Sequence, residues 1–238
     1  MKKISIIIPT FNEEKTISTI IRRVDKVSIE GFSKEILIID DGSTDETCKI
    51  LTKLCDEIAN IRVFRHAKNS GKGSAVRTGI RNATGEIILI QDADLEYNPE
   101  DIPKLIAPII ENTARVVYGT RLRMKPVYRG KAKTPLLLNF FGNKFLSFLT
   151  SIIYGQTISD METGYKAFDK SSLQGIKLTS RSFDFEPEIT AKILKKGVRI
   201  KEIDIRTTPR GYDEGKKIRP IHDGLIALWT LVKYRFTN

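Results

Sequence analysis

The chain has 238 residues, 40% hydrophobic and 29% charged, which allows a buried core and excludes wholesale disorder. That length suits one large domain or two small ones. The formal net charge of +11 favours anionic partners, whether nucleotide phosphates, nucleic acid or an acidic membrane surface, although excess lysine is also common on ordinary solvated surfaces.

An apolar run at 4–8 opens the chain and ends at Pro9, so a strand is expected there and no secretory leader before it. Ile17, Ile20, Ile21 and Val24 have helical spacing within 13–27. A second strand at 35–40 ends in Asp40, Asp41 and Gly42. Ser43 or Thr44 is placed to cap the next helix, with Ile50, Leu51, Leu54 and Ile58 inward. Cys48 and Cys55 fall about two turns apart on that helix, too far for a disulfide and without zinc spacing. Both read as reduced core residues, which fits a cytosolic protein.

A short strand follows at 62–65, then a helix at 71–82 entered through a glycine-rich turn, then a strand at 86–91. Strands separated by helices of this length predict an α/β fold with a doubly wound, mostly parallel sheet. Right-handed crossovers then bring four loops to one edge, at 9–13, 40–43, 66–72 and 92–96. Ligands bind at that edge in open α/β sheets. The last loop carries Asp92, Asp94 and Glu96. Carboxylates so spaced suit a hard divalent ion such as Mg2+ or Mn2+ shared with phosphates, and an acidic turn with no ligand is the plainer alternative.

Beyond residue 100 the sequence predicts a helix at 100–112 and a strand at 115–119. A basic stretch follows, with Arg121, Arg123, Lys125, Arg129, Lys131 and Lys133. Residues 135–154 are rich in Leu, Phe and Ile, with Lys144 as the one charge. A buried core helix and a helix lying in a membrane interface both fit that segment. Asp160, Glu162 and Gly164 come next, then a helix at 183–196 with Glu186 and Glu188 near its start, a strand at 198–205, and a basic tail. The tail ends in a second amphipathic or membrane-facing segment at 225–236. No uninterrupted apolar run reaches the ~18–20 residues of a membrane-spanning helix.

Four segments in order carry a resemblance: Ile-Ile-Ile-Pro-Thr-Phe-Asn-Glu-Glu (6–14), Ile-Asp-Asp-Gly-Ser-Thr-Asp (39–45), Asn-Ser-Gly-Lys-Gly (69–73) and Gln-Asp-Ala-Asp (91–94). The chain resembles the family 2 inverting glycosyltransferases of GT-A fold. Later segments narrow the likeness: Gly-Thr-Arg (119–121), Ser-Asp-Met-Glu-Thr-Gly-Tyr-Lys-Ala-Phe (159–168), Phe-Asp-Phe-Glu-Pro-Glu (183–188) and Pro-Arg-Gly-Tyr-Asp-Glu-Gly-Lys-Lys (209–217). These are similar to the polyprenyl-phosphate hexosyltransferases, such as dolichyl-phosphate mannose synthase and dolichyl-phosphate glucosyltransferase.

The resemblance implies one GT-A catalytic domain over 1–238: a Rossmann-like, mostly parallel central sheet flanked by helices, with C-terminal amphipathic helices. Residues 1–100 would bind the nucleotide sugar and 101–238 the acceptor, with membrane-facing segments near 135–154 and 225–236. It implies nucleotide-sugar contacts from Pro9, Phe11, Glu13, Asp40, Asp41, Lys72, Asp92, Arg210 and Lys216. It implies Mg2+ or Mn2+ at Asp92 and Asp94. Glu96 stands where mannose synthases often carry Gln, another potential ligand. Arg121, with Arg129, would hold the acceptor phosphate, and Asp94, Arg121 and Asp160 would be catalytic.

The expected reaction moves a hexose from GDP-mannose, UDP-glucose or UDP-N-acetylglucosamine to a polyprenyl (dolichyl) phosphate. The expected location is cytoplasmic, peripheral at the membrane face, with a separate membrane-protein partner or a homo-oligomer left open. One alternative is transfer to a polysaccharide or soluble hydroxyl, which requires a general base, and Asp160 or Glu162 would supply it. The other is a basic nucleic-acid binder. Acidic turns crowd the ligand edge and no nucleic-acid-binding signature is present, so nucleic acid is not an expected partner.

Overall fold

The computed structural model describes residues 2–121, 134–210 and 219–237. Its first half alternates strand and helix as the apolar spacing dictates: β1 (Lys2–Thr10), α1 (Ile17–Lys26), β2 (Phe32–Asp40), α2 (Thr47–Glu57), β3 (Ile61–Arg65), α3 (Lys72–Asn82) and β4 (Ile87–Ile90). A 3-10 turn at Pro99–Asp101 leads into α4 (Ile102–Ile110), where the sequence predicts one continuous helix. Then come β5 (Val116–Thr120), α5 (Thr134–Tyr154), β6 (Lys166–Asp169), α6 (Phe185–Lys195), β7 (Ile200–Asp204) and α7 (Pro220–Phe236).

The seven strands form one sheet in the order β3-β2-β1-β4-β6-β5-β7. β1 pairs in parallel with β2 and β4, and β2 with β3, so the four loops converge on one edge as expected. β6 runs antiparallel to both β4 and β5. The sequence reading missed β6. It is short and carries a lysine, Lys166, inside the sheet, which breaks the apolar signal of a strand.

The apolar strands serve two layers at once. Ile4, Ile6 and Ile8 join α1, α2 and α4 on one face, while Ile7 joins α3 and α6 on the other. Burying such a side chain stabilises the fold by roughly 1.5–3 kcal/mol. Because strand side chains alternate, near-continuous Ile/Leu runs are what a sheet covered on both faces requires. On the second face α7 packs against α5 and α6. Among the described residues no helix is long and apolar enough to cross a membrane.

Two local expectations are corrected. Neither Ser43 nor Thr44 caps α2, whose N-cap position is Glu46; Asp45 Oδ1 accepts from the Thr47 amide at 3.0 Å instead. Ser43 Oγ accepts from the Asn12 amide (2.9 Å), and the Thr44 amide donates to Asn12 Oδ1 (2.8 Å). These bonds latch the loop after β1 to the loop after β2, and α1 starts only at Ile17. The cysteines are free but not core residues: Cys48 is half-buried and Cys55 exposed. The inward stripe of α2 is Thr47, Leu51 and Leu54. One further residue rotates the helix by about 100°, which turns both cysteines off that stripe.

Candidate active site

A cavity of about 550 Å³ opens at the C-terminal edge of the parallel strands. Pro9, Phe11, Glu13, Asp41, Lys72, Asp92, Asp94, Glu96, Arg121 and Arg210 all line it, so it gathers most of the residues singled out from the sequence. Asp40 and Asp160 stand behind its wall. Arg129 and Lys216 lie outside the described residues.

The paired aspartates after β2 split their duties. Asp41 accepts the Ser70 amide at 3.0 Å and the Gly71 amide at 2.7 Å, and meets His66 Nδ1 at 2.6 Å. It thereby shapes the turn that enters α3 while facing the cavity. Asp40, 1% exposed, is turned away instead. It accepts from the Ser43 amide at 2.9 Å and pairs with Arg65 Nε at 3.3 Å, which ties the loop after β2 to β3.

Gly71 sits at φ +92, and a Cβ there would run into the Arg181 carbonyl oxygen. That close approach delivers Lys72 to the base of the cavity. Lys72 Nζ lies 2.8 Å from Asp92 Oδ1 and 2.9 Å from Glu186 Oε1. Burial works against this ammonium, but Asp92 and Glu186 outweigh it and hold its pKa well above the usual lysine value.

The acidic turn after β4 supplies hard oxygen donors. Asp94 Oδ1 accepts the Glu96 amide at 3.0 Å. Burial, then the charges of Glu96 and Asp92, push the Asp94 carboxyl up, against the pull of Arg210. Mutually repelling carboxylates of this kind fit a divalent cation, which would relieve the strain. Among the described residues no three acidic, His or Cys side chains close into a ready-made cage. That suits Mg2+-like ions, which usually keep waters and take substrate phosphate oxygens as ligands. Gly164 presses its backbone against this turn, and a Cβ there would collide with the Asp92 carboxylate. The Gly164 amide also donates to Tyr97 Oη at 2.9 Å.

Arg210 closes the opposite wall. Its guanidinium reaches Glu13 Oε2 at 3.2 Å and Asp94 Oδ2 at 3.2 Å, and its amide donates to Glu96 Oε1 at 3.0 Å. The segment carrying it is pinned by a bridge between Tyr97 and Thr207.

Arg121 follows β5 and is oriented from behind. Its amide, Nε and Nη2 all donate to Asp160, at 2.9, 2.7 and 2.8 Å. Asp160 is fully buried, and the Ser159 and Asp160 amides donate to Glu202 of β7 at 2.8 and 3.1 Å. Both Asp160 oxygens are thus engaged by the arginine. That geometry suits Asp160 to positioning Arg121.

Sequence reasoning gave no site role to Glu186, Tyr97 or Lys166. Glu186 was visible only as an acidic residue at a helix start. Lys166 is fully buried under the site, with Nζ donating to the Met161 carbonyl at 3.0 Å and to the Thr163 carbonyl. Burial lowers its pKa, against the pull of Glu186, Asp160 and Glu162. Burial and the Glu186 charge raise the pKa of Glu162, which lines the cavity.

The mouth of the cavity is formed by α5 and α7, through Asn139, Gly142, Asn143 and Leu146 on one and Ile221, Asp223 and Gly224 on the other. Both helices expose apolar stripes beside it: Phe141, Phe145, Phe148 and Ile152 on α5, and Ile221, Leu225, Trp229 and Phe236 on α7. Monomeric soluble proteins rarely leave so many large apolar groups together in water.

The sheet and the cavity at its edge have the GT-A architecture. Among solved structures, the glucosyl-3-phosphoglycerate synthase of Mycobacterium tuberculosis, in complex with Mn2+, UDP and glucosyl-3-phosphoglycerate, matches with a TM-score of 0.73 at 20% identity, over 98% of this chain and 80% of that chain. Residues 5–176 match Glycosyl transferase family 2, and the chain belongs to that family. It is 31% identical over 228 residues to the UDP-N-acetylglucosamine–dolichyl-phosphate N-acetylglucosaminyltransferase of Methanococcus voltae, covering 89% of this chain and 88% of that one. It is 30% identical over 240 residues to the dolichol-phosphate mannosyltransferase of Pyrococcus furiosus, covering 98% of this chain and 64% of that one.

Proposed function

We propose that this glycosyltransferase moves a hexose, with inversion, from a nucleotide sugar to a polyprenyl phosphate at a membrane surface. The observation that carries the reading is Arg121, locked onto Asp160 inside a cavity whose mouth is built from two helices with exposed apolar stripes. The names of the Methanococcus voltae and Pyrococcus furiosus relatives support a dolichyl-phosphate acceptor.

Pro9, Phe11, Glu13 and Asp41 receive the nucleoside. Asp92 and Asp94, with Glu96 beside them, hold Mg2+ or Mn2+, in keeping with the Mn2+ of the Mycobacterium tuberculosis synthase complex. The bound ion supplies charge neutralisation on the leaving diphosphate. Arg210 adds a cation from the opposite wall, and Lys216 is assigned to the same task. Lys72 holds Asp92 in place and places positive charge at the cavity base. Arg121, with Arg129 in the basic stretch, grips the acceptor phosphate; a planar guanidinium can bind phosphate bidentately. A phosphate monoester is already anionic at neutral pH, so the acceptor needs no general base.

The whole chain acts as one catalytic domain, with residues 1–100 on the donor side and 101–238 on the acceptor side. The stripes of α5 and α7 rest in the lipid interface at the cytoplasmic face and admit the polyprenyl chain beside the cavity mouth. The net charge of +11 adds attraction to anionic lipid.

One observation favours a second reading. Glu162 lines the cavity with its pKa raised to about 8, so its ionised form would be a stronger base than an ordinary carboxylate toward a hydroxyl acceptor. A donor panel of GDP-mannose, UDP-glucose and UDP-N-acetylglucosamine, run with a short polyprenyl phosphate, with and without Mn2+, tests the first reading. One donor is expected to give lipid-linked sugar only with metal. Transfer undiminished in excess chelator contradicts the metal assignment.

A further inference from the structure

We propose that Glu162 and Glu186 form the subsite that reads the hydroxyl or amide N–H groups of the transferred sugar. This rests on the nucleotide-sugar reading above and names the residues that set donor selectivity within it. Around the cavity, most carboxylate oxygens are spoken for: Asp41 by backbone amides, Asp92 by Lys72, Asp94 by Arg210 and the Glu96 amide. Glu186 Oε2 and Glu162 Oε1 are buried and have no hydrogen-bond partner among the described residues. Glu186 is 4% exposed, and both residues line the cavity. A buried acceptor left without a donor is costly, so a built site that keeps two of them is shaped for a ligand that supplies donors.

Their position says which part of the ligand that is. Lys72 bridges Glu186 to Asp92, which ties Glu186 to the end of the cavity assigned to the diphosphate, and Gly164, two residues after Glu162, abuts the same Asp92 carboxylate. Arg121, assigned to the acceptor phosphate, lines the same cavity as Glu162. In an in-line displacement the transferred sugar lies between the leaving diphosphate and the incoming phosphate. An ionised phosphate offers no donors to these two oxygens; a polyhydroxyl ring does. Lys166 fixes the geometry by binding the carbonyls on either side of Glu162, those of Met161 and Thr163. Selection by buried polar groups is strong, because a donor that lacks the matching hydroxyl leaves the carboxylate unpaired.

The test measures binding, by calorimetry with Mn2+, of nucleoside diphosphates, intact nucleotide sugars and deoxy-sugar analogues to the unaltered protein, Glu162→Gln and Glu162→Ala. Thermal unfolding checks that the variants fold. Glu162→Gln is expected to keep diphosphate affinity within about twofold and to lose about tenfold for the preferred nucleotide sugar. One deoxy analogue, discriminated against by the unaltered protein, is expected to bind the variant as well as the full sugar does. Unchanged nucleotide-sugar binding in both variants overturns the proposal, including when transfer is lost, which would make Glu162 a base. Equal losses for diphosphate and nucleotide sugar overturn it as well. If nucleotide sugar binds but no transfer to polyprenyl phosphate occurs, the acceptor reading fails while the binding data still judge the subsite. If the unaltered protein binds no nucleotide sugar, both fall.

Discussion

Arg121 and Asp160 are joined by three hydrogen bonds, one from the arginine amide and two from its guanidinium, and the aspartate is fully buried. A buried pair of this kind adds little net stability, yet breaking it leaves a charge uncompensated. It fixes where the arginine stands, and Glu202 fixes where the aspartate stands.

Asp160→Asn keeps the side-chain shape and removes the charge that orients Arg121. The rate at low acceptor concentration should fall by roughly a hundredfold, as should that of Arg121→Lys, which lacks the fork. Donor KM should change by less than about threefold. Steady-state kinetics with each substrate varied separately will check this; an equal loss on both substrates would place the pair elsewhere in the mechanism.

Gly164→Ala tests the contact behind the acidic turn. The added methyl must displace the Asp92 carboxylate. Nucleotide binding in the presence of Mn2+ should weaken by about tenfold or more, with little change in binding without metal. Titration by calorimetry under both conditions gives the answer.

Glu188 governs acid stability. Burial alone would raise its pKa, but Lys192 at 2.7 Å and the amides of Ser180 and Thr179 reverse this and take it down to about 2. A depressed folded-state pKa gives stability that is complete above the ordinary glutamate range and is lost as pH falls toward about 2. Glu188→Gln should therefore lower stability by on the order of 1–3 kcal/mol at pH 7. The gap from the unaltered protein should close as pH drops below about 4. Urea melts across that range will show whether it does.

Membrane contact rests on the two exposed stripes. Trp229→Glu, and separately Phe145→Glu, should cut partitioning into anionic liposomes at least about tenfold at low salt. Activity on a water-soluble, short-chain polyprenyl phosphate should stay near that of the unaltered protein. Flotation assays read the first effect, and a variant that floats as well as its parent removes the stripe from the interface.

Much of the fold and the ligand edge is legible in the sequence. Apolar runs such as Ile6–Ile8 and Ile87–Ile90 encode buried parallel strands because both sheet faces are covered, and their acidic ends mark the ligand edge. What remained hidden depended on long-range contact. β6 is defined by its antiparallel pairing with β4 and β5, far off in sequence, and the charges of Glu186 and Asp160 help hold the buried Lys166 ammonium that it carries. Asp40 and Asp41 are chemically identical neighbours, and the sheet alternation decides which one faces the cavity. Ser43 has the composition of a helix cap, but Asn12, distant in sequence, claims its hydroxyl.

The central claim is that the acceptor is a phosphate monoester held by Arg121. The most direct measurement compares transfer to a polyprenyl phosphate with transfer to the corresponding free polyprenol, same chain length, with the unaltered protein, its preferred nucleotide sugar and Mn2+. An inverted sugar–phosphate product is expected from the first and no measurable product from the second. Comparable transfer to the free alcohol would contradict the claim and point to Glu162 as a base.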